Sequence, residues 1–349
     1  MPRFVLVGAV LLLAACGDTT SSPAPTEPSV AVREPLRLLG RCMGTTWSVR
    51  VPATHGGNEG LLRAAIGETL EAVEQEMSHY REDSTISRFN RRSGSTWFPV
   101  SKEFARLVMR ADHVFRETNG AFDVTCAPLV DLWGFGPKSG DARVPTTADI
   151  AAAMNRTGSR HLDARAAPPA LRKHIPELEL NLSAIAKGHA VDRVGRMLVD
   201  RGIRDWLVEV GGELKIAGER ASGVSWTIAI ERPLASGRLA HTALEVEDIA
   251  VATSGDYLIF WEHEGRRFSH IIDPRTGRPV RHATASVSVF ASTCAEADAW
   301  ATALLVLGAE KGLALADTLG LTASFVVRTA ADQFDVKTSS AHRRRYGDR

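Results

Sequence analysis

The sequence predicts an α+β fold in which largely antiparallel sheets are flanked by helices. Strand-like segments succeed one another directly between residues 206 and 290, without the long crossovers that a parallel sheet requires. Two of them, Val208-Glu209-Val210 and Leu214-Lys215-Ile216, flank Gly211-Gly212, a pair suited to a tight hairpin. Helical spacing is confined to a few long segments.

Residues 41–51 alternate around Trp47 and predict a strand, with a loop over 52–60. Leu62, Ile66, Leu70, Val73 and Met77 recur on one face and predict a helix over 61–77. A second helix is expected over 102–118, stopping at Asn119-Gly120. Residues 134–147 are rich in Gly, Pro and polar side chains and predict a loop. Further strands are expected at 177–182, 206–210, 214–217, 226–231, 241–246, 250–253, 267–272 and 285–290, with helices at 184–201 and 295–307.

The chain opens with Arg3, an apolar run from Phe4 to Leu13, and Leu13-Ala14-Ala15-Cys16. That run is shorter than the roughly 20 residues needed to span a bilayer, which predicts a lipoprotein signal peptide over residues 1–15, with an uncleaved anchor as the alternative. Cys16 after Leu-Ala-Ala matches a bacterial lipobox, which predicts a lipidated Cys16 and an envelope protein facing the periplasm. Residues 16–35, rich in Pro, Ser and Thr, form a tether. About 310 residues follow, enough for one large domain or two packed subdomains, expected over 36–330 with a charged tail over 331–349. With 42 basic against 41 acidic residues, no field favours nucleic acid. Cys42, Cys126 and Cys294 remain, an odd number without paired spacing, which argues against a zinc site or a disulfide framework.

Several polar clusters sit in apolar frames. Asp298 and Thr302 lie four apart on one helical face, two oxygen ligands suited to Mg²⁺, or else a polar edge beside a packed threonine. Lys187-Gly188 opens a helix and offers a cation and oriented N–H groups to an anion such as phosphate, or else Ser183 caps the helix and Lys187 is solvated. Asn119-Gly120 turns the chain ahead of Ala121-Phe122-Asp123, which either grips a planar heterocycle or marks a plain helix stop. His270, at a strand end before Ile272-Asp273-Pro274, is placed for acid–base work or is a structural histidine. Ser254-Gly255-Asp256 predicts a turn. The motifs G-x-S-x-G, H-E-x-x-H and G-x-G-x-x-G are absent.

Taken in order, M-G-T-T-W (43–47), M-S-H-Y-R-E-D-S-T-I-S-R-F-N (77–90), G-A-F-D-V-T-C-A-P-L-V-D-L-W-G-F-G (120–136), L-S-A-I-A-K-G-H-A-V-D (182–192), V-G-G-E-L (210–214), A-T-S-G-D-Y (252–257), H-I-I-D-P-R-T-G (270–277) and E-A-D-A-W-A-T-A-L (296–304) resemble the ApbE family over about residues 41–310. The resemblance implies a single catalytic domain that acts as an FAD:protein FMN transferase. Such an enzyme cleaves FAD, esterifies FMN to a Thr or Ser hydroxyl of an acceptor flavoprotein and releases AMP. An Mg²⁺-dependent FAD pyrophosphatase, or a non-catalytic flavin-binding lipoprotein, are the alternatives. By the same resemblance Asp298, Thr302 and the backbone carbonyl of Ala184 hold Mg²⁺ or Mn²⁺, and Met43, Tyr80, Ala121, Phe122, Asp123, Asn181, Lys187 and Ile272 contact the flavin nucleotide. Asp298, Lys187 and His270 are the expected catalytic residues. Asn181 stands where the family often has Asp, and Glu209 and Glu213 replace the Asn and Asp that commonly flank the Gly-Gly pair.

Overall fold

The structure, a computed structural model, describes residues 35–52, 58–138, 140, 143–221, 223–232, 239–257, 259–330 and 333–347. The expected signal peptide, most of the expected tether and Cys16 therefore lie outside the described residues.

In chain order the elements are β1 (Leu36–Cys42), β2 (Thr45–Val51), α1 (Glu59–Met77), α2 (Thr85–Arg91), β3 (Phe98–Pro99), α3 (Lys102–Glu117), α4 (Ala127–Leu132), α5 (Thr147–Met154), β4 (Leu162–Ala166), β5 (Pro169–Lys173), α6 (Ala186–Asp200), β6 (Trp206–Val210), β7 (Glu213–Ala217), β8 (Trp226–Arg232) and β9 (Leu239–Val246). They continue with β10 (Ala250–Gly255), β11 (Phe260–His263), β12 (Arg266–Ser269), β13 (Ile272–Asp273), β14 (Arg278–Pro279), β15 (Thr284–Ala291), α7 (Cys294–Leu319), β16 (Thr322–Ala330), β17 (Gln333–Thr338) and α8 (Ser340–Tyr346). Eight strands form the main sheet in the order β1-β2-β6-β7-β10-β15-β16-β17, with antiparallel pairing throughout. The α+β expectation holds.

Strand alternation gives this sheet two buried faces. Val208, Val210, Ala250, Ala252, Val287 and Val289 point into the large core shared with α1, α3, α6 and α7. Leu207, Ile216, Val251 and Phe290 point the other way and are covered by Trp226, Ile228, Leu244 and Val246 of the β8–β9 hairpin. A third cluster joins Leu129 and Trp133 of the α4 region to Ile150, Phe268 and Ile272. α7 is long and apolar enough to cross a bilayer, yet most of it is buried as the central helix of the fold. Its alanines at 295, 297, 299, 301 and 303 are all buried, and such short side chains let it lie close to its neighbours.

Local departures from expectation have identifiable causes. Residues 41–51 are not one strand: Met43 and Gly44, both at positive φ (50° and 70°), fold the chain into the β1–β2 hairpin, where Cys42 pairs with Thr45. A methionine at positive φ carries no turn signature in sequence. Residues 177–182 alternate but form no ladder. Their backbone is held instead by Asn90, whose amide donates to the Leu180 carbonyl (2.9 Å) and accepts from its N–H (2.8 Å). The strand expected at 267–272 breaks at His270, and α7 runs on past Leu307 through a kink at Gly308. Ser254 and Gly255 end β10 rather than forming a turn. Within the expected charged tail, β17 is the edge strand of the main sheet, and α8 buries His342 beside Phe290.

Candidate active site

The site is built where the first turns of α6 and α7 meet. Gly188 in α6 approaches α7 so closely that a Cβ there would stand 2.3 Å from the Cys294 carbonyl oxygen and 2.8 Å from the Ala295 Cα. Only glycine permits that crossing. Its consequence is a hydrogen bond between the helices, with the Gly188 N–H donating to Asp298 Oδ2 at 3.0 Å. The N-cap position of α6, Ile185, has no capping side chain, so Asp298 serves an α6 end that its own sequence leaves open. The contact runs in both directions. Asp192 of α6 accepts from the N–H groups of Cys294 and Ala295, the first two residues of α7, each at 3.0 Å.

Asp298 is 2% exposed and faces Lys187, one residue before Gly188. The Lys187 Nζ donates to Glu213 Oε1 at 2.7 Å, and Glu213 Oε2 is buried with no hydrogen-bond partner. Burial opposes the Lys187 ammonium, but Asp298 and then Glu213 outweigh it and hold its pKa above that of an ordinary lysine. Burial pushes Glu213 and Asp298 upward, with Lys187 pulling each back. If both carboxyls ionise, they outnumber the one ammonium, so burial favours either a proton on one of them or a cation beside them.

Among the described residues, no three His, Cys, Asp or Glu side chains gather in a way that could hold a metal ion. A cation here would need other oxygens, and those are at hand. Thr302 lies one turn beyond Asp298, and its Oγ1 is 2.9 Å from the Ser254 Oγ at the end of β10. The Ala184 carbonyl sits just before α6, and the Gly188 N–H that would close onto it in a regular helix goes to Asp298 instead. A carboxylate, hydroxyls and a backbone carbonyl are the hard donors that Mg²⁺ takes.

His270 lies close enough to feel the Lys187 charge. Its Nδ1 is 3.0 Å from the Ile259 carbonyl, which can only accept, so Nδ1 carries the proton and Nε2 holds the lone pair of the neutral ring. Burial lowers the His270 pKa, the Ile259 bond raises it, and Lys187 lowers it again.

The expected nucleotide contacts divide into three groups. Met43 sits on the β1–β2 turn with its N–H on Glu74 (2.6 Å), and Thr45 and the Lys187 stem both crowd Gly211 of the β6–β7 hairpin. Tyr80 is 65% exposed; its ring meets that of His79 at 4.4 Å and leaves the rest of its surface open. Asn181 closes a local turn, with Oδ1 accepting from the Ser183 N–H (2.9 Å), while its N–H pairs with the Val124 carbonyl (2.7 Å). With Oδ1 engaged, Asn181 offers a ligand N–H donors, whereas the aspartate common in the family would offer only acceptors.

Ala121, Phe122 and Ile272 are buried in the cores, so the Phe122 ring is not presented for stacking as the sequence suggested. Asp123 is also engaged within the fold: its Oδ1 accepts from the Thr125 N–H (2.8 Å), the Thr125 hydroxyl (2.6 Å) and the Ser159 hydroxyl (2.7 Å). Gly188 reads in sequence as an N–H donor to an anion and not as a helix crossing, and Asp192 of the same K-G-H-A-V-D motif carries no signal of its capping role. Glu213 reads only as a departure from the family pattern, and for Ser254 no local signal could place its hydroxyl on Thr302.

Residues 43–325 match the profile of the ApbE family. The chain belongs to that family. It is 40% identical over 326 residues to the FAD:protein FMN transferase of Vibrio cholerae, covering 93% of each chain. It is 35% identical over 334 residues to that of Escherichia coli, covering 95% of this chain and 93% of the other. Among solved structures, the flavin transferase ApbE from Vibrio cholerae superposes with a TM-score of 0.82 at 40% identity, covering 89% of this chain and 99% of that one. The apo flavinyl transferase ApbE of Pseudomonas stutzeri also gives 0.82, at 36% identity and with 90% and 98% covered. This ApbE member should be intolerant of bulk at the helix crossing. Gly188→Ala is expected to cost about 3 kcal/mol by overpacking, read as a fall in the thermal unfolding midpoint against the parent chain.

Proposed function

We propose that this chain is an FAD:protein FMN transferase, joining FMN from FAD through a phosphoester to a Thr or Ser hydroxyl of an acceptor flavoprotein. The observation that carries the reading is the Asp298–Lys187–Glu213 group, with both carboxyls buried around one lysine and set among oxygen donors, in a chain of the ApbE family. In this reaction the acceptor oxygen bonds to the phosphorus that bears riboflavin. The bond from that phosphorus to the bridging oxygen breaks, and AMP leaves with the electron pair.

Asp298, Thr302 and the Ala184 carbonyl would hold Mg²⁺ or Mn²⁺. When bound, the cation supplies neutralisation of charge on the pyrophosphate oxygens. Lys187 is fixed by Glu213 and stays protonated, so it brings a second positive charge to the phosphates without taking part in proton transfer. His270, with its lone pair on Nε2, takes the acceptor proton. Tyr80 offers an exposed ring and Asn181 its side-chain donors to the nucleotide. Met43, Ala121, Phe122, Asp123 and Ile272 shape the walls around it through backbone and buried packing.

We further propose that Cys16 carries lipid and leashes the domain, through residues 16–35, to a bacterial envelope membrane facing the periplasm. This reading supports an acceptor that is itself presented at that membrane.

Incubation of the protein with FAD, Mg²⁺ and candidate flavoprotein subunits, followed by in-gel flavin fluorescence, tests the activity. Asp298→Asn keeps an oxygen for the Gly188 N–H but loses the charge. It is expected to reduce transfer by about 100-fold or more with little change in melting temperature, and parent-level transfer would refute the site. The pH profile tests His270. Lowering its pKa favours the neutral imidazole, so the base remains competent below the ordinary histidine value, and the acid limb should fall below about pH 6.5. His270→Gln should slow transfer, keep FAD binding and erase that limb; an unchanged profile returns His270 to a structural role. For the anchor, labelled fatty acid should enter the parent and not Cys16→Ser, and equal label in both would end the lipobox reading.

A further inference from the structure

We propose that Asp192 is a positioning residue for the cation site: by capping α7 from α6, it fixes where Asp298 and Thr302 stand relative to Ala184 and Lys187, and so sets the affinity for the divalent ion. This rests on the cation reading given above.

α7 begins after Thr293, a residue type that usually caps its own helix. Here it does not, because its hydroxyl accepts from Arg110 Nη1 at 2.6 Å and makes no cap bond. The open N–H groups of Cys294 and Ala295 are taken by the two oxygens of Asp192, one each, at 3.0 Å. Lys215 of β7 donates to Oδ1 at 3.1 Å and holds the carboxylate from the sheet side. The α7 end is thus tied to α6 and to β7 through one side chain.

Asp298 follows Ala295 by three residues, a rise of about 4.5 Å along the helix. Little flexibility separates the cap from the ligand. The ligands come from two helices, Ala184 at the mouth of α6 and Asp298 and Thr302 on α7. Mg²⁺ demands ligand distances near 2.1 Å in a strict geometry, so a small slide of one helix end against the other is felt directly in affinity. Gly188 limits approach from one side through its contact with the Cys294 backbone, and Asp192 resists separation from the other.

The test uses the full chain in detergent with Mn²⁺ alone, read as loss of the free-ion EPR signal. Asp192→Asn has one acceptor oxygen for two N–H groups and no charge, and is expected to weaken Mn²⁺ binding about 10-fold. Asp317→Asn is the control for mere destabilisation. Asp317 Oδ1 accepts from the Ser340 N–H at 2.6 Å near the far end of α7, so this variant should lower the melting temperature while leaving Mn²⁺ binding as in the parent. Parent-like Mn²⁺ affinity in Asp192→Asn, with the parent binding normally, would overturn the proposal and leave the cation reading standing. A parent that binds no Mn²⁺ would overturn both. If Asp192→Asn does not fold, Lys215→Met, which frees the carboxylate from the sheet, decides the matter: about 3-fold weaker binding supports the proposal and unchanged binding ends it.

Discussion

Two helices that cap each other hold this site together. α6 supplies Asp192 to the open N–H groups of α7, and α7 supplies Asp298 to the Gly188 N–H of α6. Helix ends carry unsatisfied donors and partial positive charge, so each carboxylate finds both hydrogen bonds and a favourable dipole in the partner helix. The arrangement requires contact at backbone distance, which explains why position 188 is glycine. It also fixes Asp298, whose Oδ2 is held by the Gly188 N–H.

Charge follows from the same geometry. Bringing the α6 and α7 ends together, with β7 beside them, buries Asp298 and Glu213 around Lys187. The lysine cannot neutralise both. A protein interior does not favour an uncompensated carboxylate, and the unpartnered Glu213 Oε2 shows that local hydrogen bonding does not resolve the imbalance. Beside these carboxyls stand the neutral oxygens of Thr302 and Ser254, the donors that the proposed cation would use with them. The large β-sheet serves as a platform: β10 delivers Ser254, the β6–β7 hairpin delivers Glu213, and the core beneath α7 keeps both in register.

The elements legible in sequence are those whose periodicity is enforced by burial on one side. α1 and α3 begin at Asn58 and Ser101 caps and bury clear apolar stripes, and β6, β7 and the Gly211-Gly212 turn fall where alternation and the glycine pair put them. Where alternation misled, at 177–182, the segment is extended and buried but paired through the Asn90 side chain, a partner about ninety residues away that no local rule anticipates. The β1–β2 hairpin was hidden because Met43 holds a conformation usually left to Gly or Asn. Charged residues hid the edge strand at Gln333–Thr338, since an exposed edge tolerates charge on its outer face.

From its sequence alone the chain determined an α+β fold, the order of its family motifs and the residue types its chemistry needs, because periodicity, turn residues and spacing are local properties of a polymer in water. Which of those residues meet was decided by tertiary structure. Asp298 and Thr302 share a helix face by spacing, but Gly188, Glu213, Asp192 and Ser254 join them only through the helix crossing and the sheet register. Asp123 and Phe122, which looked like ligand-facing groups, became an anchor and a core residue once neighbours from residue 159 and the main core closed on them. Contacts between distant segments depend on how whole elements pack, and packing is a property of the assembled core that no window of sequence contains.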